Sequence, residues 1–339
     1  MNYRQTMKKE LQTLTIFTRL IARFRLGFKL IISFLGIMLI PVSGFALNQE
    51  GDFDGIPARP AFASGYVLNG YSVTLESANT LEFSIQHRFN EINDQDGGFD
   101  MFGIFGHASD IRLGMNYYPT DRLQVGIGAT VTNLPYDLNW KGLLLQQTRD
   151  DAIPVSVAYA GNLAISVEDR PEFYTDTADR LSTYHELMVA RRFGERLSLQ
   201  LSGSYAYYST VEEGMDDNNV ALSARGRIGL TSSQNLLVEY ELPLLAEHEQ
   251  IEENDHDHQL APRDDMTPLH VDPDDPVEVI TPQPNLGLGW EYVTRGHEFQ
   301  VFIANYNILK PQRRLLYHTN EIEEFDFLIG FNITRRWNL

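Results

Sequence analysis

Residues Leu197–Tyr208 read LSLQLSGSYAYY. Leu197, Leu199, Leu201, Tyr205 and Tyr207 share one parity, while Ser198, Gln200, Ser202 and Ser204 share the other. A period of two sends successive side chains to opposite faces of a β-strand. In a soluble sandwich the apolar face turns inward; in a membrane barrel it turns out to lipid. The same alternation recurs along the chain, so strands are expected near 79–90, 110–118, 123–132, 137–147, 153–167, 182–193, 197–210, 219–230, 235–245, 285–294, 297–308 and 325–337. One parity collects Leu81, Phe83 and Ile85, then Leu113, Met115 and Tyr117, then Leu123, Val125 and Ile127, and later Leu288, Trp290 and Tyr292. The opposite parity carries glycine, serine, glutamine and charge.

The connections separate the two architectures. Pro119–Arg122, Gly194–Arg196, Thr231–Gln234 and Thr294–Gly296 are tight, whereas most of the alternate links are longer and acidic or irregular. A sandwich has no reason to keep its long links at one end, but an outer-membrane barrel has short periplasmic turns and long outer loops. The expected fold is therefore all-β, a transmembrane antiparallel up-and-down β-barrel of about 12 strands running from Val73 to the C-terminus. A soluble periplasmic β-sandwich binding protein is the rival architecture. Phe331, Ile333, Arg335 and Trp337 alternate outward at the chain end, much like the terminal strand read by the barrel-assembly machinery.

Composition narrows the function classes. With no cysteine, thiol catalysis, disulfides and zinc–thiolate sites are excluded. Residues 1–46 hold seven bases against Glu10, then an apolar run Leu30–Ile40, Pro41 and small residues, which reads as a signal peptide cleaved after Ala46. That apolar run is well short of the roughly 20 residues needed to span a bilayer. Cleavage would take seven of 27 bases and one of 46 acids, moving the formal charge from −19 to −25. Nucleic acid is not an expected partner of such a chain. The expected partners are outer-membrane lipid, the barrel-assembly machinery, and small polar solutes or divalent cations. Leu47–Ser72 is expected as a short periplasmic lead-in.

Leu81–Phe89 (LEFSIQHRF), Asp110–Gly128 (DIRLGMNYYPTDRLQVGIG) and Ile329–Arg335 (IGFNITR) resemble an outer-membrane β-barrel family, domain of unknown function 5777. Pro154–Val157, Ala190–Leu201 and Gly296–Asn305 extend the resemblance over most of the mature chain. It implies a single barrel domain in a Gram-negative envelope and no particular activity.

Candidate site residues lie on the inward parity: Glu82, Glu186, Glu239, Glu241, Glu291 and Glu298 with Arg88, Arg112, Arg192, Arg225, Arg227 and Arg336. If the eighth and ninth strands pair so that residue numbers sum to 466, Arg225 faces Glu241 and Arg227 faces Glu239. A lone charge in a confined lumen is costly, so pairing is expected. The resulting wall suits either a narrow polar pathway or a salt-bridged plug. A second candidate is the acidic loop 246–284, in which His248, His256, Asp257, His258 and His270 could take up a metal ion, although no pair has a spacing that fixes geometry. Catalysis has no comparable support: His87 and His185 lack a serine partner in a recognisable motif, and no GxSxG elbow is present. The expected function is non-enzymatic and free of cofactors: passive passage or binding of small polar solutes, with a structural or surface-interaction barrel of blocked lumen as the alternative.

Overall fold

Each alternating segment forms a strand. The computed structural model describes residues 55–91, 110–132, 135–212, 215–244, 281–322 and 325–339, with only the backbone of Glu91. The expected signal peptide and the five candidate metal residues His248, His256, Asp257, His258 and His270 lie outside the described residues. A small hairpin, β1 (Tyr66–Val67) and β2 (Gly70–Tyr71), precedes the barrel. The barrel strands are β3 (Thr80–Glu91), β4 (Asp110–Thr120), β5 (Leu123–Thr130), β6 (Pro135–Leu145), β7 (Ser156–Ser166) and β8 (Leu181–Phe193). They continue with β9 (Leu197–Tyr208), β10 (Asn218–Gly229), β11 (Gln234–Pro243), β12 (Asn285–Val293), β13 (His297–Ala304) and β14 (Leu328–Asn338). Every strand pairs antiparallel with its sequence neighbour, and β14 returns to β3 to close the twelve-stranded barrel. Closure leaves no sheet edge, which is what a hydrocarbon environment requires of a β-structure.

The two faces are as different as the alternation demands. Ile127 is 62% exposed and Val301 50%, both on the outer wall, while Arg225, Glu239 and Glu241 on the inner wall are 0% exposed. Among the aromatics, Tyr205, Tyr207, Trp290, Tyr292 and Trp337 face outward at strand ends, where an interfacial girdle sits. Tyr118, next to the outward Tyr117, points into the lumen and is buried there.

Turn chemistry sets the register. At the β10–β11 hairpin the Thr231 hydroxyl oxygen accepts from the Ser233 and Gln234 amides at 3.3 and 3.0 Å, and Leu230 N donates to Gln234 O at 2.9 Å. This tight turn pairs Arg225 with Glu239 and Arg227 with Leu237, two residues away from the expected register. The faces survive the offset because two residues is one full period. The opposing pairs do not, so Arg227 does not face Glu239 and Arg225 does not face Glu241. β13 ends at Ala304, not 308, because the following segment turns into the barrel and forms the short helix α1 (Pro311–Tyr317).

The N-terminal stretch departs furthest from expectation. Only its first described part lies at the turn end, where Pro57 bridges Thr148. From Ala61 to Thr74 the chain is buried inside the barrel, so this part of the expected lead-in is a plug. The physical reason is that its polar backbone finds partners on the lumen wall.

Candidate functional site

The plug hairpin carries no charged side chain between Ala61 and Thr74, and two short strands satisfy few of its own backbone groups. Ser64, Ser72 and Thr74 satisfy several more from within the segment, and charged and amide side chains of the barrel supply others. Glu239 accepts from the Asn69 and Gly70 amides at 3.0 and 3.1 Å. Gln200 accepts from Val73 N at 3.0 Å and donates to Tyr71 O at 2.8 Å. Lys141 Nζ donates to Gly65 O and Ser72 O at 3.2 and 3.0 Å. Gln300 reaches Tyr66 O, Asn332 reaches Leu68 O, and Arg336 reaches Ala63 O. Arg88 donates to Asn69 Oδ1 at 2.8 Å and to Asn332 Oδ1 at 3.1 Å. Leu68, at the hairpin tip, holds φ +54, a left-handed conformation that a bulky side chain adopts only under constraint. Its side chain lies against Gly287 and Gly289, where an added Cβ would come within 2.8 and 2.6 Å of it.

The second insert enters from the loop end. Arg314 on α1 donates from Nε and Nη2 to Glu241 at 2.8 and 3.0 Å, and Lys310 lies 3.8 Å from Asp137. Gln312 donates to Asn162 Oδ1 at 2.7 Å, and Leu309 N donates to Asp110 at 3.0 Å. Burial pushes the Lys310 ammonium down to about 8, and burial together with the Arg314 charge pushes the His318 imidazole down to about 3. The two inserts meet mid-lumen, where Asn69 Nδ2 donates to Ile308 O at 3.0 Å. A cavity of about 10 Å³ is left between them beside Tyr71, Arg112 and Arg314, which is room for about one water molecule.

Three charge clusters result. Arg225 sits among Glu186 at 2.5 Å, Glu239 at 3.7 Å and Glu241 at 3.8 Å. Arg336 gathers Glu76, Glu82 and Glu298 at 3.0, 3.2 and 2.8 Å. Arg112 clasps Asp137 at 2.8 and 3.1 Å. Glu291 instead takes amide donors from Asn235 and Gln300. Arg192 spends its guanidinium on the carbonyls of Pro60, Gly194 and Glu195. Asp137 and Lys141 were missed as site residues although they share the inward parity of β6. Arg314 lies in a loop and has no periodic signal. On the outer wall, His185 Nδ1 is 2.6 Å from Tyr159 Oη, and His87 stacks on Phe331 at 5.0 Å.

A closed antiparallel barrel with an apolar outer wall matches, over residues 62–337, the family model described as a membrane bound beta barrel domain, DUF5777. The chain belongs to this family. The DUF5777 barrel is thus a membrane protein of the Gram-negative outer-membrane kind, seated in lipid by its outer wall. No curated protein matches it. Among solved structures it is similar to the NanC porin, at 9% identity and TM-score 0.40, over 76% of this chain and 97% of that one. It is also similar to an outer-membrane channel from Pseudomonas putida F1, at 9% identity and TM-score 0.42, over 78% and 97%. LpxR from Salmonella typhimurium gives 9% identity and TM-score 0.36, over 77% and 100%. Likeness at this level carries no argument about activity.

Proposed function

We propose that this DUF5777 chain is a plugged barrel, shut at rest, that passes or binds small polar solutes when its inserts move. The observation that supports this reading is the manner of attachment. The hairpin is held by one or two hydrogen bonds from each of several wall side chains and by apolar packing of Phe62, Leu68 and Val73. One bidentate ion pair, a few amides and the buried Leu315 and Leu316 hold α1. The neutral bonds among these exchange with water at small net loss, about 0.5–1.5 kcal/mol each, and those to charged groups at about 1.5–3 kcal/mol. Once exposed, the wall would present Arg88, Arg112, Arg225, Glu186, Glu239 and Glu241 to a polar solute. The alternative, a structural barrel with a permanently blocked lumen, is favoured by the number of bonds made at once.

Planar-bilayer recording separates the two. The full chain should sit mostly closed, and a variant with Ala61–Thr74 replaced by a glycine–serine linker should conduct steadily. If that variant still shifts on boiling in a gel, as a folded barrel does, yet stays silent, passage is wrong and the structural reading stands.

A further inference from the structure

At the turn end of the lumen, three adjacent strands place Arg192, Ser198 and Arg227 in one row. Arg192 on β8 and Arg227 on β10 are the register partners of Ser198 on β9. Ser198 is fully buried, and its hydroxyl has no hydrogen-bond partner among the described residues. Arg227 Nε and Nη1 are buried and equally unpartnered there. Arg192 is anchored by three backbone carbonyls, so its charge is fixed in position without being neutralised by them. Arg59, on the segment that Arg192 holds, lies within electrostatic reach of it, as does Arg227. Two carboxylates bear on the row. Glu195 lies within electrostatic reach of Arg192, and Glu291 of Arg227. The Glu291 oxygens, however, are taken by Asn235 and Gln300. Among the described residues the row thus gathers more guanidinium than free carboxylate, in a chain whose formal charge is −19.

We propose that Arg227, Ser198 and Arg192, with Arg59 at the rim, bind a small free oxyanion, phosphate or carboxylate, at the turn end of the barrel. Guanidinium and hydroxyl donors are the groups that recognise such oxygens, and a partly dry site strengthens each charge-assisted bond. Location on the inner wall, beneath a filled lumen, selects a small solute over a lipid headgroup.

The probe is inorganic phosphate, titrated calorimetrically into the full chain in neutral detergent and phosphate-free buffer. One saturable site per chain is expected. Arg227→Gln should weaken it at least tenfold and Ser198→Ala several-fold, with the boiling shift on gels retained. Arg295→Gln, on the β12–β13 turn at the same end, should leave it unchanged. Absence of saturable binding by the native chain overturns the proposal, and so does equal weakening by Arg295→Gln, which would mean diffuse attraction. Displacement of phosphate by phosphatidylglycerol nanodiscs, but not by phosphatidylcholine ones, would assign the site to a lipid headgroup and overturn the free-solute reading.

Discussion

Removing the Arg314 guanidinium should release α1 from the barrel wall. Arg314 and Glu241 are both fully buried and joined by two hydrogen bonds, at 2.8 and 3.0 Å. Truncating one partner of a buried pair leaves a charge without compensation, which costs about 3–5 kcal/mol. Here Glu241 keeps Asn285 Nδ2 at 3.2 Å and Arg225 Nη2 at 3.8 Å. The lower end of that range therefore applies, about 3 kcal/mol, or roughly a 150-fold shift toward the undocked helix. Chymotrypsin cutting after Leu316 or Tyr317 reads the undocked population, because the helix must leave the lumen to be cleaved. Arg314→Met should be cut on the order of 100-fold faster than the native chain. Glu241→Gln should restore most of the protection when combined with it, since the stranded charge is gone. Two results would refute the reasoning: Arg314→Met cut no faster than native, or a double variant cut as fast as Arg314→Met alone.

Gly70→Ala would drive a Cβ into the Arg225 guanidinium. It should displace the hairpin and raise bilayer conductance while the boiling shift of the barrel is kept. Val301→Arg places a charge at the middle of the lipid-facing side of β13 and should destabilise the barrel by about 2–4 kcal/mol in urea titrations in lipid vesicles. A change at Phe325, exposed on the last long loop, should leave that stability within about 0.5 kcal/mol. The Lys310 ammonium has a docked pKa of about 8 against an ordinary 10.5. The undocked state therefore binds more protons between those values, and docking strengthens as pH rises from 8 to 10.5. Chymotrypsin cleavage of α1 should accordingly be slower at pH 10 than at pH 7.5, once corrected for the protease's own pH profile.

The wall was legible in the sequence and the contents of the lumen were not. Period-two alternation assigns Arg225, Glu239 and Glu241 to the inner face whatever the register, because parity survives a two-residue slip. The pairing itself depends on Thr231, whose hydroxyl closes a three-residue turn, and counting faces does not weigh that hydroxyl. The hairpin escaped notice because Ala61–Thr74 is uncharged and too short to show a period, although Asn69–Gly70 between apolar residues is a local hairpin signal. Arg314 became a site residue only through its tertiary partner. A loop arginine twelve positions before Asp326 carries no mark of the carboxylate it meets on β11.

The Arg88 guanidinium and the Asn332 amide converge on Leu68 O from β3 and β14, the first and last strands to form the barrel. These two strands are neighbours in space but are separated by nearly the whole chain, so theirs is the contact with the largest loop to close. The hairpin precedes β3 in the sequence and is therefore at hand before any strand pairs. It can act as a mandrel around which the sheet curls, joining the two lips of the seam through one carbonyl. Closing the barrel and sealing its lumen are then a single event, and a chain without the hairpin should close its seam more slowly even where the finished wall is equally sound.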